Sequence, residues 1–373
     1  MIRVQKHKII ADLNKKIALL VGPRQTGKTW LAKDIAKSFS NSLYLNYDDT
    51  KDREKIHKQS WLESTDLLIF DELHKMPDWK TYLKGVFDTR PEHQKILVTG
   101  SARLEIYDKV GDSLAGRYFC HHLLPLSLAE LKQAGETASI DRLLERCGFP
   151  EPYFADDEIE VLRWRMQYLN SLLSTDVFEI KTIHNLKGMR LVLEMLREKV
   201  GSPISYKSIA EEAQLSPPTV KDYIQILESI HVIFLVTPYS KNIARSILKE
   251  PKVYFYDVGL VKGDVGAKLE NFVAVSLLKS IYGRNDVLAE NCSLHYLRTT
   301  DGKEVDFAVV KNNVIETMIE VKTSDDSISK GLRYFYERHS HPAIQLVLSL
   351  RNEYQNQGIQ VLKLEKYLSS LYL

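Results

Sequence analysis

The sequence is poor in cysteine. Its 373 residues hold only Cys120, Cys147 and Cys292, an odd number with no CxxC pair. That excludes a disulfide frame and a cysteine zinc site, and leaves reduced, buried thiols as the expectation. Charge of one dominant sign is also lacking. The 51 basic and 49 acidic side chains give a formal charge of +2, so no global positive field points to nucleic acid and any such surface has to be local. No apolar run approaches the ~20 residues a membrane helix requires. The basic N-terminus MIRVQKHKIIADLNKK has no apolar export core, and internal repeats and low-complexity linkers are missing. These absences predict a cytoplasmic protein with no membrane segment. A chain of this length that is 44% apolar can fill two or three cores.

What is present begins with IALLVGPRQTGKTWLAKDIA, Ile17 to Ala36. The pattern GxxxxGK(S/T) stands between an apolar strand pattern and a helical one, which is the context a phosphate loop requires. Gly22, Pro23, Arg24, Gln25, Thr26, Gly27, Lys28 and Thr29 are the expected nucleotide-binding residues. Amides at the helix start face the phosphates, Lys28 reaches the β and γ phosphates, and the Thr29 hydroxyl ligates magnesium. The run DLLIFDE then ends an apolar strand in two acids. Asp71 is placed to support the magnesium and Glu72 to activate the attacking water. SLYLNYDD lies between these two motifs in sequence, as in ATPases that insert an extra strand and set a catalytic Glu beside the metal Asp. KILVTGSARL ends in Thr99 and Ser101, candidates to sense the γ phosphate. Arg117, in GDSLAGRYF, is the candidate finger reaching a neighbouring subunit's nucleotide, with Arg103 the competing choice.

From Ile17 to about Pro125 short apolar runs alternate with helical stretches, predicting an α/β unit with a parallel sheet over residues 1–126. Long helical segments follow over 127–185. Within 186–250, SYKSIAEEAQLSPPTVKDYIQILESIHVIFLVTPYS reads as two helices joined by a short turn and then an apolar strand pair, with Ser216 capping the second helix and Pro217 in its first turn. This resembles a winged helix. Its second helix offers Lys221 against Asp222 and only Gln225 as a base reader, so sequence-independent contact through Lys241, Arg245 and Lys249 is the expected mode if it meets DNA. Residues 251–373 read as a helix, three strands joined by the turns TDG and KNN, a further helix and a strand.

Strand alternation in KEVDFAVV and TMIEVKT sets Glu304 and Asp306 on one face, and Glu320 and Lys322 on one face of the next strand. Two carboxylates and an ammonium displayed together suit phosphodiester hydrolysis. Asp306 and Glu320 would hold magnesium, with the Val321 carbonyl a further oxygen, and Lys322 would orient or activate water. The competing reading is a solvated strand face, since Glu-x-Lys recurs by chance in a chain with 27% charged residues.

GPRQTGKT, LLIFDELHKMPDW, VTGSARL, SLAGRYFCHHLLPLSLAEL and GFPEPYF together resemble the bacterial and archaeal AAA+ superfamily ATPases that carry a C-terminal domain of previously unknown function. The resemblance covers nearly the whole chain. It implies a P-loop AAA+ core over 1–126, a helical lid or connector over 127–185, a winged-helix-like domain over 186–250 and a domain over 251–373 that resembles PD-(D/E)XK nucleases, a restriction-endonuclease-like α/β fold. In that last domain the resemblance assigns Asp306, Glu320 and Lys322 the roles above and adds Glu270 as an accessory acid and metal ligand. The Pro-Asp of that superfamily is absent here, where EV precedes the aspartate. The expectation is an ATP- and magnesium-dependent homo-oligomer acting on DNA, a hexamer among the ring sizes open to it, with Mg²⁺ or Mn²⁺ at the nuclease-like site. A translocase or helicase with a non-cutting C-terminal domain, and a nucleotide-controlled signalling or assembly switch, are the alternatives.

Overall fold

The structure is a computed structural model in which residues 3–100, 114–177, 185–240 and 249–372 are described. The chain divides into two compact units, Met1–Pro125 and Leu126–Leu373.

In the first unit α1 (Lys6–Leu13) precedes β1 (Ile17–Val21), α2 (Lys28–Ala36), β2 (Ser42–Asn46), α3 (Thr50–Lys58), β3 (Leu67–Asp71), α4 (Trp79–Thr89), β4 (Lys95–Thr99) and β5 (Tyr118–His122). The five strands form one parallel sheet in the order β2-β3-β4-β1-β5. Both faces are covered, which is why β1 and β3 read as unbroken apolar runs. Ala18, Leu20 and Ile69 pack with Ile9, Leu31 and Ile35 on one side. Leu19, Val21 and Phe70 pack with Ile56, Leu83 and Val86 on the other. β2, which follows the phosphate loop in sequence, lies at the sheet edge. The strand inserted in space between the loop strand β1 and the acidic strand β3 is β4.

The second unit opens with helices α5 (Leu128–Gln133), α6 (Ile140–Arg146), α7 (Pro150–Phe154) and α8 (Glu158–Ser171), followed by α9 (Leu186–Glu198), α10 (Tyr206–Ala213) and α11 (Pro217–Ser229). Ser216 caps α11 through the Thr219 amide and Pro217 stands in its first turn, where the missing N–H costs nothing. Then come β6 (Ile233–Pro238), β7 (Lys252–Phe255), α12 (Val265–Leu288), β8 (Cys292–Arg298), β9 (Glu304–Lys311), β10 (Val314–Lys322), α13 (Lys330–His339), β11 (Ala343–Val347), β12 (Tyr354–Asn356), β13 (Ile359–Lys363) and α14 (Leu364–Ser369). All eight strands join one mixed sheet, β12-β13-β11-β10-β9-β8-β6-β7. Both hairpins expected from the turns form, β8 with β9 and β9 with β10. Asn312 and Asn313 take the positive φ angles of 51° and 63° that a two-residue hairpin demands. The antiparallel pair β6–β7 is not a free wing, because β6 also pairs with β8 through Thr237 and Pro238. Residue 250 therefore falls between two strands of the same sheet.

Candidate functional site

Parallel strands deliver their C-terminal ends to one edge of the sheet, where α/β folds bind ligands. Register carries this further: Leu20 of β1 and Asp71 of β3 both stand opposite Thr99 of β4. The loop after β1 turns back through Gly22 and Gly27, with φ of 134° and 91°, and through Gln25 at 61°. A Cβ at Gly22 would stand 2.5 Å from the Leu123 carbonyl oxygen, so only glycine fits there. Lys28, the first residue of α2, is largely buried and donates to the carbonyls of Gly22 (2.9 Å) and Pro23 (2.6 Å), while the Thr26 hydroxyl also donates to Pro23 (2.9 Å).

Asp71 gathers three hydroxyls. Thr29 donates to its Oδ2 at 2.8 Å, Tyr44 to the same oxygen at 2.5 Å, and Thr99 to Oδ1. The Thr29 hydroxyl and the Asp71 carboxylate thus meet directly as hard oxygen donors, a set that fits magnesium. Glu72 follows in the left-handed region at φ 57°, its amide held by the Thr99 carbonyl at 3.1 Å. Burial pushes its carboxyl above the usual range, against the pull of Lys75. Its Oε2 is buried without a hydrogen bond, with Lys75 Nζ at 3.7 Å and His74 Nε2 at 3.6 Å. Tyr44 was not legible as a site residue, because its hydroxyl reaches Asp71 only through the β2–β3 pairing.

Arg117 lies at the other end of the sheet. Its carbonyl accepts from the Ile17 amide, and Ile17 pairs with Tyr118 at the start of both strands. A five-residue strand, roughly 15 Å, separates it from the phosphate loop of its own chain. Its guanidinium holds Asp88 of α4 in a two-pronged pair, at 2.8 and 3.1 Å. Ser101, Arg103, Lys241 and Arg245 lie outside the described residues. Lys249 is exposed.

In the second unit the β9–β10 hairpin brings the C-terminal residues together. Ile319 stands opposite Phe307, which sets Glu320 across from Asp306. Asp306 Oδ2 accepts from the Val321 amide at 2.9 Å, and Lys322 Nζ pairs with Glu320 Oε1 at 2.8 Å. Burial raises the Asp306 carboxyl, and burial followed by the Asp306 charge pushes Glu320 up to about 7. Glu320 Oε2 is buried with no hydrogen-bond partner. The nearby Ser329 hydroxyl, close enough to lower Glu320 slightly, accepts from the Leu332 amide at 3.1 Å.

Glu270 comes from α12, and its Oε1 is engaged by Tyr254 at 2.6 Å and by Lys252 at 3.2 Å. Burial, then the Asp306 charge, raises it to about 7. Lys252 is fully buried, and its Nζ also lies 2.7 Å from Glu304 Oε1 and 3.9 Å from Asp306 Oδ1. Burial alone would lower its pKa, but Glu270, Asp306 and Glu304 overcome this and hold it charged. Among the described residues no three His, Cys, Asp or Glu side chains converge as a ready metal site. Asp306 and the buried Glu320 Oε2 are hard oxygen donors of the kind that suit a divalent cation, while Glu270 is held by Lys252 and Tyr254. Lys252 and Tyr254 escaped the sequence reading. Lys252 ends a basic run and gives no sign, by itself, of facing inward.

Residues 14–132 match the model of an AAA domain, residues 137–268 a domain of unknown function (DUF8612) and residues 265–367 another (DUF4143). The first unit is thus a P-loop domain of the AAA type. Among curated relatives, uncharacterized protein Rv2008c of Mycobacterium tuberculosis is 28% identical, over 85% of this chain and 73% of its own. Uncharacterized protein MJ1544 of Methanocaldococcus jannaschii is 25% identical, over 80% of this chain and 73% of its own. Among solved structures, the Walker-type ATPase PABY2304 of Pyrococcus abyssi is 14% identical with a TM-score of 0.44, over 69% of this chain and 93% of that one. Among the described residues no helix is long and apolar enough to cross a membrane.

Proposed function

We propose that the chain hydrolyses ATP at the phosphate loop of its first unit. One observation carries the reading: Thr29 of the loop is hydrogen-bonded to Asp71, with the buried, hydrogen-bond-free Glu72 carboxylate oxygen next in sequence. Bound magnesium would supply charge stabilisation at the phosphates. Thr29 and Asp71 would hold it, Lys28 would leave the loop carbonyls for phosphate oxygens, and Glu72 would take a proton from water. Arg117 would leave Asp88 to reach the nucleotide of a neighbouring copy, making a homo-oligomer the working form.

The test is steady-state ATPase and nucleotide binding by calorimetry. Lys28→Ala is expected to lose binding, and Glu72→Gln to bind ATP with turnover down by about 10²-fold or more. Arg117→Ala is expected to bind ATP and slow by up to ~10³-fold. Wild-type turnover in Glu72→Gln removes the base assignment. Full turnover in Arg117→Ala, with light scattering showing a monomer in every nucleotide state, removes the finger.

A second reading, that the second unit cuts DNA with Mg²⁺ or Mn²⁺ in the cytoplasm, is favoured by Asp306, Glu320 and Lys322 meeting on one hairpin. Lys322→Ala should then abolish cleavage of single-stranded, duplex or forked DNA while ATPase persists. Wild-type protein that binds DNA and cuts none of these leaves a translocase or helicase with a non-cutting domain. Protein that does not bind DNA leaves a nucleotide-controlled assembly switch.

A further inference from the structure

Lys252 stands on β7, one residue past Pro251, in a position that strand pairing drives fully inside. Taking an ammonium out of water costs several kcal/mol unless partners repay it. The partners here come from three separate elements: Glu270 on α12, and Glu304 and Asp306 on β9, with the Tyr296 ring of β8 5.4 Å from Nζ. Arg298 takes the other oxygen of Glu304 at 2.7 Å. Three carboxylates thus converge on Lys252, and Glu320 is not among them. The polar group left over is Glu320 Oε2, on a residue only 6% exposed.

Lys252, Arg298 and Lys322 set three formal positive charges against the four carboxylates of Glu270, Glu304, Asp306 and Glu320. With all four ionised the cluster is one positive charge short, and the buried Glu320 Oε2 has no hydrogen-bond partner. A buried carboxylate so placed takes up a proton or holds a cation.

We propose that Lys252 is a resident cation of this site: it occupies the position that a further divalent ion would take among Glu270, Glu304 and Asp306, and so restricts the site to one divalent ion, on the Asp306–Glu320 pair. The one-ion half of this statement rests on the metal reading proposed above, whereas the role of Lys252 stands on its own contacts. Lys252 is a positioning residue. It draws Glu270 away from the ion and fixes the outer edge of the Asp306 carboxylate.

The experiment counts Mn²⁺ on the purified full-length chain without nucleotide, by calorimetry and by the free-Mn²⁺ paramagnetic resonance signal. Wild type is expected to bind one ion that Asp306→Ala removes. Lys252→Met, checked for folding by circular dichroism, is expected to bind one ion more than wild type. Glu270→Gln in an otherwise wild-type chain is expected to leave affinity within about threefold, since Glu270 belongs to Lys252.

A folded Lys252→Met with the wild-type count overturns the proposal. So does a tenfold or greater loss of affinity in Glu270→Gln, which remains readable if Lys252→Met does not fold. If wild type binds no ion that Asp306→Ala removes but Lys252→Met gains one, the metal reading fails and the resident cation stands. If neither wild type, Lys252→Met nor Glu270→Gln binds Mn²⁺, both fail.

Discussion

A buried carboxylate needs a donor for its lone pairs, and Asp71 and Asp306 meet that need differently. Asp71 is held by the hydroxyls of Thr29, Tyr44 and Thr99. These neutral donors satisfy its oxygens and leave its charge to be balanced by a cation. Asp306 has a backbone amide on one oxygen and the Lys252 ammonium 3.9 Å from the other, so much of its charge is answered from within the fold. Buried titratable groups also set how the protein responds to pH, and His295 of β8 gives a test. Burial lowers its ring below the usual value, against a small opposing effect of the Thr237 carbonyl. The folded chain therefore keeps this ring neutral while the unfolded chain takes up a proton near about pH 6.5. Its contribution is present above that pH and lost as pH falls below it. Between pH 7.5 and 5.5 the melting midpoint of wild type should fall further than that of His295→Asn. Equal falls in the two proteins would rule this out.

Elements in the second unit are docked by close backbone approaches that short-range signals do not reveal. α13 lies against the start of β9 so closely that a Cβ at Gly331 would stand 2.0 Å from the Glu304 carbonyl oxygen. Helix propensity alone favours Gly331→Ala by roughly 0.5–1 kcal/mol. The backbone clash opposes it, and overpacking of this kind costs about 1–3 kcal/mol or more. The clash should win, so Gly331→Ala is expected to lower the stability of the second unit by about 2 kcal/mol in urea unfolding. A neutral or stabilising result would mean that α13 shifts freely on the sheet. The caps and turns were legible: Ser216 before Pro217, and the Asn312–Asn313 turn, satisfy requirements confined to a few residues. Of the strand pair expected within residues 205–240 only β6 lies there; its antiparallel partner β7 comes later, at Lys252–Phe255. Their incorporation into the eight-stranded sheet was not legible, because β6 also pairs with β8, Thr237 standing opposite His295 58 residues further on.

At the scale of the molecule, a buried ion pair ties the second unit's first helix to its longest one. Glu130 of α5 and Lys279 of α12 are hydrogen-bonded and 1% and 2% exposed. Removing one partner strands a charge in the interior, at about 3–5 kcal/mol. Lys279→Met is therefore expected to lower the denaturant midpoint of the second unit sharply, while Glu130→Leu combined with Lys279→Met recovers most of the loss. A double variant no more stable than the single one would show that the pair's neighbours, and not the stranded charge, set the cost.

The sequence alone determined the phosphate loop, the acidic strand end, the β-α alternation and the two hairpins of the second unit, because each is a requirement of backbone geometry or periodicity met within some ten residues. Glu304 and Asp306 could be put on one strand face, as could Glu320 and Lys322, by alternation. Tertiary structure decided the rest. Only the β2-β3-β4-β1-β5 order brings Tyr44 and Thr99 onto Asp71, and only the sheet from β7 to β10 carries Lys252 in among Glu270, Glu304 and Asp306. A lone lysine in a basic run looks like surface. What makes it interior is the burial of β7 and three carboxylates that arrive from up to 54 residues away, and no local pattern encodes a charge balance assembled over that distance.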